Sequence, residues 1–488
     1  MIQAASSDAG KTTIVAGLCR LFADRGLAVA PFKSQNMALN SFVTEEGGEV
    51  ARSIALQAAA ARQVPNVHMN PLLLKPKADD ISQLIVHGRV WGDVPASEYF
   101  ASDALQQFKL QAIRTSINYL RSNYDIIIVE GAGSCAEPNL RRLDVVNMGL
   151  AALLNARVYV VVDINKGGAF SDMLGMLAIM RLTEPTDVDR IEGFLINKFR
   201  GDRIVLNPAI EFAERNSGKR IVGVLPYLAD LDLEEEDHVR EFRPENPEID
   251  IAILYLPHIS NANDFDFLGE EPNVRVRYVR SVYTVGSPDA LIIPGTKNTT
   301  WDLEYIRKIG LEDVVTTTEE STPIIGICGG YQMLGKSLHD PNHRESQVGS
   351  VEGMGLLDIE THFEPEKTLA RRTYWPTLDN FLLNGGQVSG YEIHSGQITY
   401  QSAKPAFTYA GGVDGAVHPN RPILGTLIHD IFANPKFTRE FINMLRRTKG
   451  LPILEGPAPS RRRRSEESYD RLAAVLREHA KVLIGTYS

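Results

Sequence analysis

The sequence predicts a two-domain α/β protein in which helices flank mostly parallel sheets. The chain has 488 residues, which is too long for a single domain with one ordinary hydrophobic core. Its apolar segments are short and continuous rather than alternating, which is typical of strands buried on both faces. In the first half these segments cover residues 28–32, 126–129, 158–162, 194–196 and 221–225, and in the second half residues 251–256, 291–294, 324–327 and 423–428.

Acidic residues and two prolines, Pro244 and Pro247, interrupt this alternation and predict a linker. The predicted organisation is a first domain over residues 1–235, a linker over 236–249, a second domain over 250–445 and a tail over 446–488. In the tail we expect a helix from about Ser468 to Leu483. We interpret the run Arg461–Arg464 before it as a solvated loop.

The composition is that of a soluble globular protein and excludes several other classes. Hydrophobic residues make up 43% of the chain and charged residues 23%. The formal net charge of −10 argues against binding to nucleic acid or to acidic membranes. Three widely spaced cysteines argue against a disulfide framework and against a cysteine-based zinc site. Because we find no membrane-spanning apolar run and no signal-peptide layout, we expect a cytoplasmic protein.

Residues 3–12, Gln-Ala-Ala-Ser-Ser-Asp-Ala-Gly-Lys-Thr, resemble a P-loop between a short apolar strand and an amphipathic helix. Small residues let backbone N–H groups surround phosphate oxygens, and the helix N-terminus adds partial positive charge. Lys11 would reach the β- and γ-phosphates of ATP, and the Thr12 hydroxyl would ligate Mg²⁺. Asp8 and Gly10 complete the predicted nucleotide-binding loop. Because such a short sequence also occurs by chance, other residues have to support this interpretation.

Three polar side chains follow predicted strands and support a nucleotide site at the carboxyl edge of the sheet. Glu130 ends a strand before Gly-Ala-Gly and would complete the Mg²⁺ shell, or it caps a helix or lies in a turn. Lys33 would neutralise a transferred phosphoryl group, or it is simply solvated. Asn197 would read a base edge, or it is an ordinary turn asparagine.

Cys328 lies in a Gly-x-Cys-x-Gly sequence directly after an apolar run. This pattern predicts a nucleophile elbow, a sharp strand-to-helix turn that exposes the nucleophilic side chain. Gly326 and Gly330 suit such a turn because neighbouring backbone comes very close. The N–H group of Gly329 and one from the loop that contains Gly295 would form an oxyanion hole. The alternative is a buried, inert cysteine.

A thiol nucleophile needs a base, and two of the eleven histidines are candidates. His429 follows the apolar run 423–428 and should therefore emerge at the same sheet edge as Cys328. His394 is the competitor. A chain with both a phosphate loop and a thiol nucleophile would generate ammonia at the thiol and consume ATP to activate an acceptor. The pair of motifs therefore predicts a glutamine-dependent, amide-forming ligase.

Several longer segments carry a family resemblance over almost the whole chain. They are residues 30–41 (APFKSQNMALNS), 69–76 (MNPLLLKP), 129–134 (VEGAGS), 144–149 (DVVNMG), 196–202 (INKFRGD), 294–299 (PGTKNT) and 328–335 (CGGYQMLG). These segments resemble the cobyric acid synthase family, glutamine-hydrolysing enzymes of cobalamin biosynthesis. The resemblance implies a dethiobiotin-synthetase-like parallel-sheet domain that binds MgATP, followed by a class I glutamine amidotransferase domain.

The resemblance also implies roles for individual residues. Cys328 would attack the side-chain amide of glutamine, form a thioester and release ammonia, with His429 as the base. Ammonia would then attack a carboxyl phosphate formed on a corrinoid. Asp144 matches an acidic position near the phosphorylated intermediate, although it could equally cap a helix. The implied overall reaction amidates the b, d, e and g carboxylates of adenosylcobyrinic acid a,c-diamide, with one ATP and one glutamine consumed per amide.

Two positions depart from the pattern that the resemblance implies. Ala4 replaces the first P-loop glycine, and Ile431 stands where many class I amidotransferases have a glutamate, which implies a Cys–His dyad. The acceptor-binding loops could include residues 34–41 and 75–83. One alternative is the sister enzyme, cobyrinic acid a,c-diamide synthase. Another is a P-loop partitioning-type ATPase, in which Cys328 would have no purpose.

Overall fold

A computed structural model describes residues 1–77, 80–229, 231, 233, 239–343, 349–377, 386–459 and 461–485. These residues form two compact units. The first unit contains Met1–Ala38, the described residues from Gly48 to 233, and the described residues from Arg462 onward; the second contains Leu39–Gly47 and the described residues from 239 to Arg461. Residues 236–238 of the predicted linker and 78–79 of the second predicted acceptor loop lie outside the described residues. None of the described helices is both long enough and apolar enough to cross a membrane.

Helices and strands alternate through most of the chain. The helices are α1 Lys11–Ala23, α2 Arg52–Ala60, α3 Ala96–Ala101, α4 Asp103–Asn123, α5 Met148–Leu154, α6 Ala169–Thr183, α7 Pro185–Arg190, α8 Arg203–Ser217, α9 Asp266–Gly269, α10 Thr299–Lys308, α11 Leu311–Thr317, α12 Gly329–Met333, α13 Pro435–Thr448, α14 Arg461–His479 and α15 Lys481–Gly485. The strands are β1 Ile2–Ala4, β2 Val29–Phe32, β3 Gln35–Met37, β4 Ser41–Val43, β5 Glu49–Ala51, β6 Leu72–Pro76, β7 Ile81–Val86, β8 Arg89–Pro95, β9 Ile126–Val129, β10 Val158–Asp163, β11 Ile191–Phe199, β12 Arg220–Pro226, β13 Ile249–Leu254, β14 Val274–Val279, β15 Ala290–Ile293, β16 Ile324–Ile327, β17 Ser337–His339, β18 Ser350–Glu352, β19 Ile359–Pro376, β20 Val388–Tyr400, β21 Lys404–Tyr409, β22 Gly412–Val417 and β23 Ile423–Thr426.

The main sheet of the first unit is parallel, as predicted. Its strand order is β1-β10-β11-β12, and β2 pairs with β9 in a second parallel ladder. Every residue of β10 is buried, which explains its continuous apolar sequence. Glu130, directly after β9, forms a parallel bridge with Ile2. The carboxyl ends of these parallel strands share one edge, where ligands of open α/β sheets bind.

The C-terminal helix differs from the prediction at its start. α14 begins at Arg461, so the arginine run forms the first turn of a helix instead of a loop. Arginine is a good helix former, and Arg463 forms an i,i+4 ion pair with Glu467 at 3.0 Å, which supports helix at that end. The helix packs on α1, where the buried Arg20 pairs with Glu466 and lies 3.6 Å from Asp470. The C-terminal helix therefore contributes to the core of the first unit.

The second unit contains a large mixed sheet with a parallel core. Strands β14, β13, β15, β16 and β23 run parallel in that order, and β22, β21 and β19 continue the sheet with antiparallel pairing. β16 and β23 are direct neighbours, with Ile327 opposite Thr426. Cys328 and His429 follow these two strands, so the pairing brings both to the same sheet edge, as their positions in the sequence predict.

Candidate active sites

The P-loop of the first unit connects β1 to α1. Two residues at the end of β11, Asn197 and Lys198, form hydrogen bonds with its backbone. Gly10 has φ of 98°, and a Cβ there would lie 2.4 Å from Nδ2 of Asn197, so both conformation and space favour glycine. Asn197 Nδ2 donates to the Ala9 carbonyl oxygen at 2.8 Å. Lys198 Nζ donates to the Asp8 carbonyl oxygen at 2.7 Å. Asn197 therefore contacts the loop itself, while the predicted base contact remains a prediction.

Glu130 is the buried centre of the predicted metal site. Its Oε1 accepts hydrogen bonds from the Thr12 hydroxyl at 2.9 Å and from Lys33 Nζ at 3.2 Å. Gln57 Nε2 donates to Oε2 at 2.5 Å. The structure thus brings together the three residues selected from sequence, and it adds Gln57 from α2. The Thr12 hydroxyl and the Glu130 carboxylate place oxygen atoms side by side, and oxygen is the donor type that a hard cation such as Mg²⁺ prefers.

Lys11 lies next to this group. Its Nζ donates to the Gly133 carbonyl oxygen at 3.0 Å. Burial lowers the pKa of Lys11, and the neighbouring Glu130 carboxylate opposes part of that effect. Asp163, at the end of β10, forms an ion pair with Lys198 at 2.9 Å. The sequence analysis did not select Asp163 as a residue of this site. The signal was available, because Asp163 directly follows the predicted strand 158–162, as Glu130 follows its own strand.

The Asp144 carboxylate is hydrogen-bonded to the backbone around the start of α5, whose N-cap residue is Asn147. Its Oδ1 accepts from the backbone N–H groups of Val146 at 2.8 Å and Asn147 at 2.7 Å. Its Oδ2 accepts from the N–H of Gly149 at 2.8 Å. These bonds fix the turn that leads into α5. Asp144 also lines a cavity together with Gly133, described below.

Cys328 has the geometry of a nucleophile elbow. Its φ of 49° and ψ of −108° are unusual for a residue with a side chain, and the residue sits between β16 and α12. Its N–H donates to the Thr426 carbonyl oxygen at 2.8 Å. A Cβ at Gly330 would lie 2.1 Å from the Ile293 carbonyl oxygen, so no larger residue fits after the elbow.

His429 is the ring beside the thiol. Its Nδ1 lies 2.6 Å from Oδ2 of Asp264, and its buried Nε2 has no hydrogen-bond partner among the described residues. Burial favours the neutral ring, but the Asp264 carboxylate and Cys328 outweigh it and raise the pKa of His429 above its usual range. The ring stacks on Tyr391, with centroids 5.1 Å apart and an interplanar angle of 18°. The backbones of His429 and Tyr391 also form two hydrogen bonds with each other.

Gly295 and Gly329, the two glycines of the predicted oxyanion hole, lie close to Cys328 and His429. A Cβ at Gly295 would lie 3.1 Å from Cε1 of His429 and 3.6 Å from Cβ of Cys328. A Cβ at Gly329 would lie 2.7 Å from Cγ2 of Thr296. The Gly295 loop and the start of α12 therefore approach each other beside Cys328, where little space is left for a side chain.

His394, the competing candidate base, forms its contacts with other residues of β20. Its Nδ1 lies 2.8 Å from the Gly396 carbonyl oxygen and its Nε2 lies 3.3 Å from Oε2 of Glu392. Both ring nitrogens are therefore engaged within β20. His429 is the histidine that the structure places beside Cys328.

Comparisons with known proteins match both halves of the chain to known families. Residues 1–240 match the family described as CobQ/CobB/MinD/ParA nucleotide binding domain. Residues 250–437 match the CobB/CobQ-like glutamine amidotransferase domain. A curated cobyric acid synthase from Caldanaerobacter subterraneus subsp. tengcongensis is 44% identical, with 98% of this chain and 96% of that protein covered. The chain belongs to the cobyric acid synthase family.

Other relatives support the same membership. A probable cobyric acid synthase from Methanothermobacter thermautotrophicus is 43% identical over 99% of this chain and 97% of that protein. Among solved structures, the chain is similar to the structure of PurLQS from Thermotoga maritima at 15% identity and a TM-score of 0.33, covering 40% of this chain and 99% of that one. That last similarity is too low to support a functional conclusion.

This member of the cobyric acid synthase family has an acid, Asp264, beside His429 that its sequence did not predict. Asp264 lies in the 3₁₀ turn Ala262–Phe265, and its Oδ1 also accepts from the N–H of Asp430 at 3.2 Å. Ile431, the residue from which a Cys–His dyad was inferred, is buried. The only available signal was the cluster of Asn and Asp at 261–266, shortly after a predicted strand.

The turn that carries Asp264 is held by the segment Leu39–Gly47. Asn261, with φ of 54°, donates its N–H to the side-chain oxygen of Asn40 at 2.7 Å. In return, the side-chain oxygen of Asn261 accepts from the N–H of Ser41 at 3.0 Å. The hydroxyl of Tyr391 donates to the Ser41 carbonyl oxygen at 3.3 Å. Part of the predicted acceptor loop 34–41 therefore contacts the elements around His429 within the second unit.

Proposed function

We propose that the chain hydrolyses glutamine at Cys328 and transfers the released ammonia to corrinoid carboxylates that ATP activates in the first unit. The acceptor is adenosylcobyrinic acid a,c-diamide, and the amidated groups are its b, d, e and g carboxylates. The observation that carries this proposal is the contact of Asp264 with His429 beside the strained Cys328 in a chain of this family. Such an arrangement is built for nucleophilic acyl transfer.

In the second unit, Nε2 of His429 takes the proton of the Cys328 thiol, and the raised pKa of His429 keeps that proton on the ring as an imidazolium beside the attacking thiolate. The thiolate sulfur attacks the amide carbon of glutamine, and the N–H groups of Gly329 and the Gly295 loop stabilise the oxyanion. The imidazolium returns the proton to the departing ammonia, which leaves a thioester that water hydrolyses to glutamate. Asp264 holds the ring so that Nε2 faces the thiol, so we assign a Cys–His–Asp triad in place of the expected dyad.

In the first unit, an acceptor carboxylate oxygen attacks the γ-phosphorus of ATP, and ADP leaves. Ammonia then attacks the carbonyl carbon of the carboxyl phosphate, and inorganic phosphate leaves. Lys11 and the backbone of the P-loop bind the phosphates, and Lys33 neutralises the transferred group. Thr12 and Glu130 would hold Mg²⁺, which spreads the charge of the phosphates.

The remaining predicted residues have supporting roles. Asp8 and Gly10 shape the loop, since the Asp8 carbonyl oxygen accepts from Lys198 and Gly10 supplies the left-handed backbone. Asn197 braces the loop through the Ala9 carbonyl oxygen. We assign Asp144 to positioning, because three backbone N–H groups already use its carboxylate.

Mass spectrometry of the corrinoid tests this proposal. The purified chain is incubated with MgATP, glutamine and adenosylcobyrinic acid a,c-diamide, and amides are counted in the product. We expect successive additions up to the fully amidated acid. In a parallel incubation with cobyrinic acid, amidation at only its a and c carboxylates would identify the sister activity instead. Hydrolysis of ATP without amidation of either acceptor would favour a partitioning-type ATPase.

A further inference from the structure

The first unit contains a cavity of about 240 Å³ beside the loop that follows β9. Gly133 and Ser134 of that loop line it, together with Asp144 and Asn147. The carbonyl oxygen of Gly133 is the atom to which Lys11 donates, so the cavity adjoins the phosphate-binding lysine. A cavity of this size accommodates a small group or one edge of a larger ligand.

Lys109, from α4, lines this cavity and is only 1% exposed. Its Nζ donates to the Tyr99 carbonyl oxygen at 2.9 Å and lies 4.0 Å from the centroid of the Tyr99 ring. Among the described residues, no carboxylate forms an ion pair with it. Among the other buried lysines of the unit, Lys33 and Lys75 pair with Glu130 and Glu49, whereas Lys11 donates to the Gly133 carbonyl oxygen.

The other charged groups around the cavity do not balance Lys109. Arg141 forms a two-point ion pair with Asp187. The Asp144 carboxylate accepts three backbone N–H groups, and Glu137 is exposed. Burial lowers the pKa of Lys109 to about 8, which leaves most of the side chain protonated at neutral pH.

A buried ammonium group without a counter-ion is costly, and an anionic ligand removes that cost. In the proposed reaction, the acceptor binds beside the phosphates of ATP, and this acceptor carries carboxylates. We propose that Lys109 binds a carboxylate of the corrinoid acceptor in this cavity and so contributes to acceptor affinity. The cavity takes one side-chain carboxylate and the ring edge that bears it. This inference rests on the proposed function.

The test compares three variants for their acceptor KM at saturating MgATP and glutamine. Lys109→Met removes the charge, Lys109→Arg keeps it, and Arg114→Met removes an exposed cation from the same helix as a matched control. We expect Lys109→Met to raise the acceptor KM roughly tenfold or more, because truncating one partner of a buried charge pair costs at least that much. Lys109→Arg should show a smaller rise, and Arg114→Met should match wild type.

A purely structural role predicts a different result. The KM values for ATP and glutamine and the melting temperature would then change along with the acceptor KM. The inference is overturned if folded Lys109→Met has an acceptor KM within about twofold of wild type, or if Arg114→Met shows the same rise. If Lys109→Met does not fold, Lys109→Gln keeps a donor for the Tyr99 carbonyl oxygen and is judged by the same criteria. Failure of the proposed function would appear earlier, as absence of corrinoid amidation by wild type.

Discussion

The two candidate sites each contain a buried carboxylate near the carboxyl ends of parallel strands, but the partners of that carboxylate differ. Glu130 in the first unit accepts from a hydroxyl, an ammonium and an amide, namely those of Thr12, Lys33 and Gln57. Asp264 in the second unit accepts from the ring of His429 and one backbone N–H. The first arrangement suits a cation and phosphates, whereas the second orients one imidazole.

This difference means that each site should fail separately when it is altered. Glutamine hydrolysis depends on the orientation of a single ring and a single sulfur. Acceptor activation depends on several positive or donating groups that share the phosphate charge. Variants in one unit should therefore remove one half-reaction and leave the other measurable.

The largest expected effect is that of Cys328→Ala. It removes the nucleophile, so glutamine-dependent amidation should fall by at least about 10⁴-fold. Amidation supported by ammonium salts should stay near wild type, because the first unit is unchanged. The measurement is corrinoid amide formation with either nitrogen source. Equal loss with both sources would contradict the division into two half-reactions.

Lys11→Ala should give the reciprocal pattern. Removal of its charge from the phosphate-binding loop should lower amide formation roughly 10²- to 10³-fold, with glutamine and with ammonium salts alike. Glutaminase activity without an acceptor is measured in parallel and should remain. Arg62→Ala, which removes an exposed cation of the same unit, is the control. A wild-type rate with Lys11→Ala would refute the phosphate assignment.

Asp264→Asn separates a triad from a dyad. Without the carboxylate, the ring of His429 loses its orientation, and glutaminase kcat should fall about 10²-fold or more. The pKa of His429 should also fall, because the Asp264 charge raises it in the wild-type protein. The ring would then lose its proton at lower pH, so the alkaline limb of the kcat/KM profile should move to lower pH. An unchanged rate and profile would support the dyad.

The smallest effect is expected for the segment that holds the Asp264 turn. Asn40→Ala removes the acceptor of the Asn261 N–H, and Asn261→Gly removes the acceptor of the Ser41 N–H while still permitting positive φ. Each should lower glutaminase kcat by roughly tenfold, since one buried hydrogen bond is worth about 1–3 kcal/mol. Amidation with ammonium salts is the internal control for Asn261→Gly, because Asn261 lies outside the predicted acceptor loop 34–41. If kcat is unchanged in both variants, this segment does not position the triad.

Much of the fold was predictable because it depends on local signals. Continuous apolar runs marked the parallel strands, and the glycines around Cys328 marked the elbow. Cys328 and His429 were predicted as a pair because both directly follow strands, and β16 and β23 proved to be neighbours. The same reasoning identified Glu130, and it would have identified Asp163.

The missed residues reach their sites through tertiary packing. Asp264 lies in a 3₁₀ turn after β13, and nothing in its sequence shows that His429 is adjacent in space. Gln57 and Lys109 project from helices, where a polar residue gives no indication of what it faces. The start of α14 was misplaced because a charged run was taken as a loop, although arginine favours helix.

The central claim is that nitrogen released at Cys328 becomes the amide nitrogen of an acceptor activated at the P-loop. The most direct test supplies glutamine with a heavy-isotope side-chain nitrogen, MgATP, the corrinoid acceptor and a small amount of unlabelled ammonium salt, followed by mass spectrometry of the corrinoid. The account predicts that the heavy isotope appears in the new amides of wild type and is absent from those of Cys328→Ala. New amides that carry only unlabelled nitrogen in wild type would contradict it.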